Sequence, residues 1–310
     1  MTQNRWILSA IAVAALCLSC AYLRSAENSD EAKAVKEIAF GVMENGPSEA
    51  AIEREYVEHH GPSITAMSGT YMMKYQLWLP FEPPADAVRD FGAVRGRYAE
   101  LWYPSMEKYL NRPNLKFAPN AQAGDQKGNA PPAAPAAQGK ETDSSKPVGA
   151  VPWVETRKEK RVVTMVPGLP TEVFLDKVTE WDKATAIRWI VAMRYPDGVS
   201  AEDGEKWFLN VHAKEAMQQP GLMKFVSYRT IDQGAGAAGP VKMARWDRIN
   251  EYWYENFAAW RKAVIENPPR YTAPSWGGKY PFVEVESTFI PYTHYVDFLH
   301  EKNGYVVEEK

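Results

Sequence analysis

The chain has 310 residues, 45% of them apolar and 12% aromatic, and a formal net charge of −3. That length accommodates two ordinary domains, each with its own core, and the aromatic content is that of a globular protein. The charge balance excludes the basic footprint of a nucleic-acid binder, so no nucleic-acid partner is expected.

The N-terminus reads as a targeting segment over residues 1–26. Arg5 supplies the positive charge, Trp6 to Leu18 is nearly all apolar, and a polar stretch begins at Ser25. The run is short for a spanning helix and suits an export signal cleaved after Ala21 or Ala26. Two other readings stay open. Cys17-Leu-Ser-Cys20 resembles a lipobox with Cys20 as the acylated residue, and the segment could be an uncleaved anchor. The expected location is therefore exported, either periplasmic or lipid-anchored to a bacterial membrane, with membrane attachment through the N-terminus only. Both cysteines lie here, so the mature domain has no disulfide or thiolate chemistry.

Ala34 to Met43 alternates as a strand, with Ile38, Phe40 and Val42 on one face. Glu49 to His60 follows as a helix that Gly61-Pro62 is expected to end. Thr70 to Leu79 is strand-like, Asp86 to Phe91 a helical turn, Tyr98 to Tyr103 a strand, and Ser105 to Leu110 the start of a helix. Residues 118–152 are rich in Ala and Pro, lack a large apolar run, and are expected to be a disordered insertion. Arg161 to Val166 returns to strand.

The second half repeats this order. Ala186 to Met193 is a strand, Ser200-Ala-Glu-Asp203 opens a helix over Glu205 to Met217, and Leu222 to Ile231 is the next strand. Met243 to Tyr252 is expected as a strand, Asn256 to Glu266 as a helix, and Phe282 to Ile290 as the closing strand.

Three blocks recur in the same order in both halves. Gly46, His60 and Gly69 lie 14 and 9 residues apart, as do Gly198, His212 and Gly221. Arg97-Tyr-Ala-Glu100-Leu-Trp102-Tyr103 is echoed by Arg248-Ile-Asn-Glu251-Tyr-Trp253-Tyr254. Thr164 to Pro167, then Phe174-Leu175, matches Thr288 to Pro291, then Phe298-Leu299. The expectation is an α+β protein with two tandem ferredoxin-like β-α-β-β-α-β units, residues 34–180 and 186–300. Two such units can pack sheet on sheet or close into a shared barrel with the helices outside. The insertion falls within the first unit, between its second helix and last strand, and does not mark the boundary.

Each unit places one histidine four residues after an aromatic, His60 after Tyr56 and His212 after Phe208, so each pair shares a helix face. An imidazole in an apolar pocket is a general acid or base near neutral pH, although it also serves as an ordinary core-edge residue. Glu100 and Glu251 are candidates to orient the histidine of their own unit or to hold a substrate hydroxyl; the competing reading is an ion pair with Arg97 or Arg248 on a solvated face. Trp102, Tyr103, Trp253 and Tyr254, with Tyr56 and Phe208, are candidates to line a flat substrate pocket or simply to pack the core. No metal site is expected. His59 and His60 are adjacent and diverge on a helix, and the chain carries no H-E-x-x-H, C-x-x-C, G-x-S-x-G or phosphate loop in its mature region.

Tyr56-Val-Glu-His-His60-Gly61-Pro62 resembles the aromatic-x-x-x-H-G/A-P signature of EthD-type proteins, members of the dimeric α/β-barrel group. The second half keeps Phe208 and His212 but has Ala213-Lys214 where Gly-Pro would stand. The resemblance implies a barrel built within one chain, hence a monomer, and carries over only His60 and His212 as the family's histidine. It also implies a small hydrophobic or aromatic partner, because such proteins are linked to ether degradation and to dehydration or decarboxylation of aromatic intermediates. The expected function is a cofactor-independent lyase or isomerase with a histidine acid/base, His60 being preferred for its intact His-Gly-Pro context. The alternatives are a non-catalytic binding protein for a hydrophobic ligand and, more weakly, a haem protein.

Overall fold

The computed structural model describes residues 33–43, 54, 56–112, 159–178, 184–231, 245–293, 295–300 and 304–307. The targeting segment at 1–26, Cys20 included, and the insertion at 118–152 lie outside these residues.

The first sheet contains β1 (Val35–Met43), β2 (Lys74–Trp78), β3 (Arg97–Tyr103) and β4 (Glu159–Pro167), in the order β2-β3-β1-β4. The second contains β6 (Ile187–Arg194), β7 (Leu222–Arg229), β8 (Arg248–Tyr254) and β9 (Glu284–Pro291), in the order β7-β8-β6-β9. Both are the ferredoxin-like arrangement, antiparallel throughout and equal in register. Ile38 pairs with Glu100 and Thr164 as Ile190 pairs with Glu251 and Thr288. The helices are α1 (π-helical Tyr56–His60, then Gly61–Ser68), α2 (Ala85–Phe91), α3 (Met106–Leu110), α4 (Ala201–Trp207, π-helical Phe208–His212, then Ala213–Ala216) and α5 (Phe257–Arg261, then π-helical Lys262–Glu266). The expected cap at Ser200 is present, its Oγ accepting the Asp203 N–H at 3.0 Å.

The strands alternate between two buried faces. On β6, Ile187, Trp189, Val191 and Met193 pack under α4 and α5, while Ile190 and Ala192 meet Ile38, Phe40 and Val162 of the first sheet. A strand covered on both sides must be apolar on both, and the burial of β6 is continuous over its first seven residues for this reason. A third cluster lies under α1 and α3, with Tyr75, Leu101 and Tyr103. The protein is therefore an α+β barrel of two sheets packed face to face with helices outside, formed within one chain.

Two strands absent from the sequence reading lock the halves together. β5 (Glu172–Asp176) lies at the end of the first unit yet pairs with β7 of the second sheet. β10 (Tyr295–His300) lies at the end of the second unit yet pairs with β2 of the first sheet, and β11 (Gly304–Val307) adds beside it. Each unit thus lends a strand to the other, and the units interpenetrate across the sequence boundary.

Two expectations are corrected. Gly61-Pro62 does not end α1, because the π-helical turn before it widens the backbone and removes the clash that Pro62 would make in a regular helix. The third strand of the second sheet is 248–254 rather than 243–252, which brings it into register with 97–103. Gly61 itself answers to packing. A Cβ there would lie 2.2 Å from Cζ of Phe298 on the lent strand, so the Gly of the His-Gly-Pro string makes room for β10.

Candidate functional site

The two histidines occupy the same place in their units, each the last residue of a π-helical turn that begins with its aromatic partner. Short π segments interrupt α-helices most often at functional sites. The environments differ. His60 is half-buried, with its ring 4.6 Å from that of Tyr56, edge to face. His212 is 4% exposed and enclosed by Trp207, Phe208 and Tyr271, with ring centroids at 5.0, 5.5 and 6.0 Å.

The His212 Nε2 lies 3.5 Å from the Tyr252 hydroxyl, at the outer limit of a hydrogen bond, and its buried Nδ1 meets no protein partner. Burial lowers its pKa to about 4, so the ring is neutral at physiological pH. Burial likewise raises the Tyr252 hydroxyl well above its ordinary value, so that it stays protonated. A neutral imidazole facing a neutral phenol can accept a proton and return one.

A separate run of polar contacts lies beside this pair, where Tyr271 stacks on the His212 ring. Tyr254 donates to Oε1 of Gln219, and Nε2 of Gln219 donates to the Tyr271 hydroxyl at 2.7 Å. Tyr271 stacks on Tyr280 at 4.1 Å. Both belong to the connection between α5 and β9, which places Tyr271 against His212 and sets Trp276 and Phe282 against Trp207, the neighbour of His212. Phe282 has a φ of 66°, strained for a residue with a side chain, and such strain gathers at binding and catalytic sites. Glu215, one turn beyond His212, holds the cover by accepting from the Thr272 N–H at 2.9 Å and hydroxyl at 2.5 Å. The matching connection of the first unit falls in residues 113–158, outside the described ones.

Glu100 and Glu251 do not approach the histidines. Strand alternation turns them, with Trp102 and Trp253, into the space between the sheets, whereas the histidines sit in the outer helices. There Nη2 of Arg188 donates to Oε1 of Glu100 at 3.2 Å and to Oε2 of Glu251 at 3.0 Å. Each glutamate accepts from the indole two residues on, both at 3.2 Å, and Nζ of Lys36 is 3.6 Å from Glu100. Lys36 also stacks on Trp102 and on Tyr228 of the other unit, and Arg188 on Trp253 and on Trp78 of the other unit. Burial pushes the Glu100 carboxyl up, but Lys36, Arg188, Tyr98 and Trp102 outweigh it and bring the value down to about 2. The glutamates neither orient the histidines nor pair with Arg97 or Arg248 on a solvated face. Arg248 pairs instead with Glu205 and Glu172 and stacks on Phe208, and Arg97 stacks on Tyr56. Tyr103 packs on Tyr109 beneath α3.

The structure therefore brings His212, Phe208 and Tyr254 together, leaves His60 with Tyr56 in a separate half-buried setting, and assigns Glu100, Glu251, Trp102 and Trp253 to the sheet interface. Tyr252, Gln219, Trp207, Tyr271 and Tyr280 escaped the sequence reading. One signal was available, because Tyr252 replaces Leu101 inside the repeated R-x-x-E-x-W-Y string. Among the described residues no group of three His, Cys, Asp or Glu side chains could hold a metal ion, and no helix is long and apolar enough to cross a membrane. A haem on the helix histidine does not fit this arrangement: aromatic rings pack around the imidazole and Tyr252 faces its Nε2.

The fold is an α/β barrel of two antiparallel sheets of ferredoxin-like order, both supplied by one chain. Solved structures similar to this chain include an anthrone oxidase-like protein, 11% identical, with a TM-score of 0.47 over 89% of this chain and 98% of that one. A chlorite dismutase from Candidatus Nitrospira defluvii is 8% identical, with a TM-score of 0.37 over 84% and 92%. At such identities the likeness concerns the fold alone. No protein-family model and no curated protein matches the chain.

Proposed function

We propose that the chain is a cofactor-independent lyase or isomerase of the EthD-like kind, moving a proton on a small hydrophobic or aromatic substrate at His212. The observation that carries this reading is the buried, neutral imidazole with one nitrogen beside the Tyr252 hydroxyl and the other without a protein partner. In this reading the unpartnered Nδ1 takes the substrate proton, Tyr252 steadies the imidazolium through Nε2, and the stacked tyrosines keep water out. The first unit completes the barrel, since Leu101 stands where Tyr252 does. A single chain supplying both halves is proposed to work as a monomer, exported through its N-terminal segment.

The test uses 2-tetralone, a neutral ketone whose α-hydrogens exchange with deuterium when a base enolises it. The full chain should accelerate this exchange, followed by NMR. His212→Gln and Tyr252→Phe should each lose about a hundredfold or more in rate while keeping the circular dichroism spectrum. His60→Gln should be nearly silent. Acceleration that survives His212→Gln rules the reading out. A small molecule that copurifies with the chain and is never turned over would instead identify a binding protein.

A further inference from the structure

We infer that the His212 site selects uncharged ligands bearing oxygen acceptors and rejects carboxylates, which deepens the proposed function and rests on it. Four buried ring nitrogens make no hydrogen bond among the described residues: the indole Nε1 atoms of Trp207, Trp189 and Trp260 in one core cluster, and Nδ1 of His212 beside it. They belong to neighbours. Trp207 lies 5.0 Å from His212, Trp189 lies 5.4 Å from Tyr252, and Trp260 lies 5.7 Å from Trp189. An indole nitrogen only donates, so three of the four ask for acceptors, and a buried donor left unsatisfied is costly. A carbonyl or hydroxyl oxygen supplies the acceptor, and the surrounding rings supply faces for a flat apolar body.

The charges set the second half of the rule. Among the described residues the cation stacked on this cluster is Arg248, 4.1 Å from the Phe208 ring. Its guanidinium is occupied by Glu205 on α4 and by Glu172 on β5, so the nearest charged group carries two carboxylates against one cation. Arg229 touches Glu205 from the surface, 3.7 Å away and more than half exposed. On the other side Glu215 holds the cover through Thr272. His212 itself is uncharged. A ligand carboxylate would lose its hydration where the cation stacked on the cluster among the described residues is already paired, a cost far above that of a hydroxyl. The site is therefore built for enolisation or dehydration of a neutral compound, and decarboxylation of a free acid is the poorer match.

Two probes of nearly equal shape separate these outcomes: 2-naphthol, neutral at pH 7, and 3-hydroxy-2-naphthoate, which is anionic. Calorimetric titration into the full chain should show 2-naphthol binding about tenfold or more tightly than the naphthoate. Trp207→Phe, which keeps a ring but removes the N–H, should weaken 2-naphthol several-fold. Equal or tighter binding of the naphthoate overturns the proposal, as does failure of both probes to bind. Charge preference without tetralone exchange would leave this proposal standing and defeat proton transfer at His212. Exchange without charge preference would do the reverse.

Discussion

Arg188, on the first strand of one unit, donates one Nη2 group to Glu100 of the other unit at 3.2 Å and to Glu251 of its own at 3.0 Å. It is the buried joint of the two sheets. Arg188→Met leaves Glu251 without a cation among the described residues and Glu100 with Lys36 alone. Unfolding in urea should show a loss of about 3–5 kcal/mol. Adding Glu100→Gln and Glu251→Gln should recover most of it by removing the uncompensated charges. A single variant that costs under about 1 kcal/mol would mean that water already screens the joint.

Gly61→Ala should destabilise through Phe298, whose ring occupies the space of the new Cβ. Overpacking of this kind costs about 1–3 kcal/mol. Combining it with Phe298→Leu should cost less than the two single changes together, since the truncated side chain relieves the clash. Strict additivity in thermal unfolding would show that Gly61 has another role.

Acid should weaken the fold in two separate windows. The folded His212 titrates at about 4 and the unfolded one near 6.5, so between these values the unfolded chain holds a proton that the folded one refuses. Stability then falls as pH drops from 6.5 to 4, by about 3 kcal/mol at 1.36 kcal/mol per pH unit. Glu100, titrating at about 2 in the fold, contributes stability that is present above 4.5 and lost as pH falls toward 2. His212→Gln should flatten the first window and leave the second. A wild-type stability profile flat from pH 6.5 to 4 would contradict the burial of His212.

The cover over His212 should loosen when its polar ties are cut. Glu215→Ala removes both bonds to Thr272. Acylation of His212 by diethylpyrocarbonate, read by mass spectrometry, should then speed up about five- to tenfold relative to exposed His59. An unchanged ratio would show that the aromatic stacking alone keeps the cover shut.

Most of the strand and helix order was legible in the sequence, because alternation over 35–43, the apolar run over 187–193 and the Ser200 cap are local signals of strands and of where a helix starts. The matching of 97–103 with 248–254 was legible too, since identical register preserves residue types at matching positions. The lent strands β5 and β10 were not, because a five- or six-residue segment owes its pairing to an edge far away in the chain. The candidate site divided in the same way. Spacing alone found His60 and His212 as equivalents, but nothing in it could show that Trp207, Tyr271 and the 267–283 connection enclose only the second.

What the sequence determined by itself was a recurring pattern: matched spacings in its two halves, each with an aromatic and a histidine four residues apart. What only the tertiary structure decided was what that pattern places where. Glu100 and Glu251 sit on the sheet faces that meet, so they became the joint between units; the histidines sit on the outer helices, where burial depends on what packs above them. A cover of tyrosines and tryptophans desolvates His212, and the Tyr56 contact leaves His60 half-open. Desolvation belongs to the assembled surroundings of a side chain, which is why two histidines at equivalent positions arrive at different chemistry.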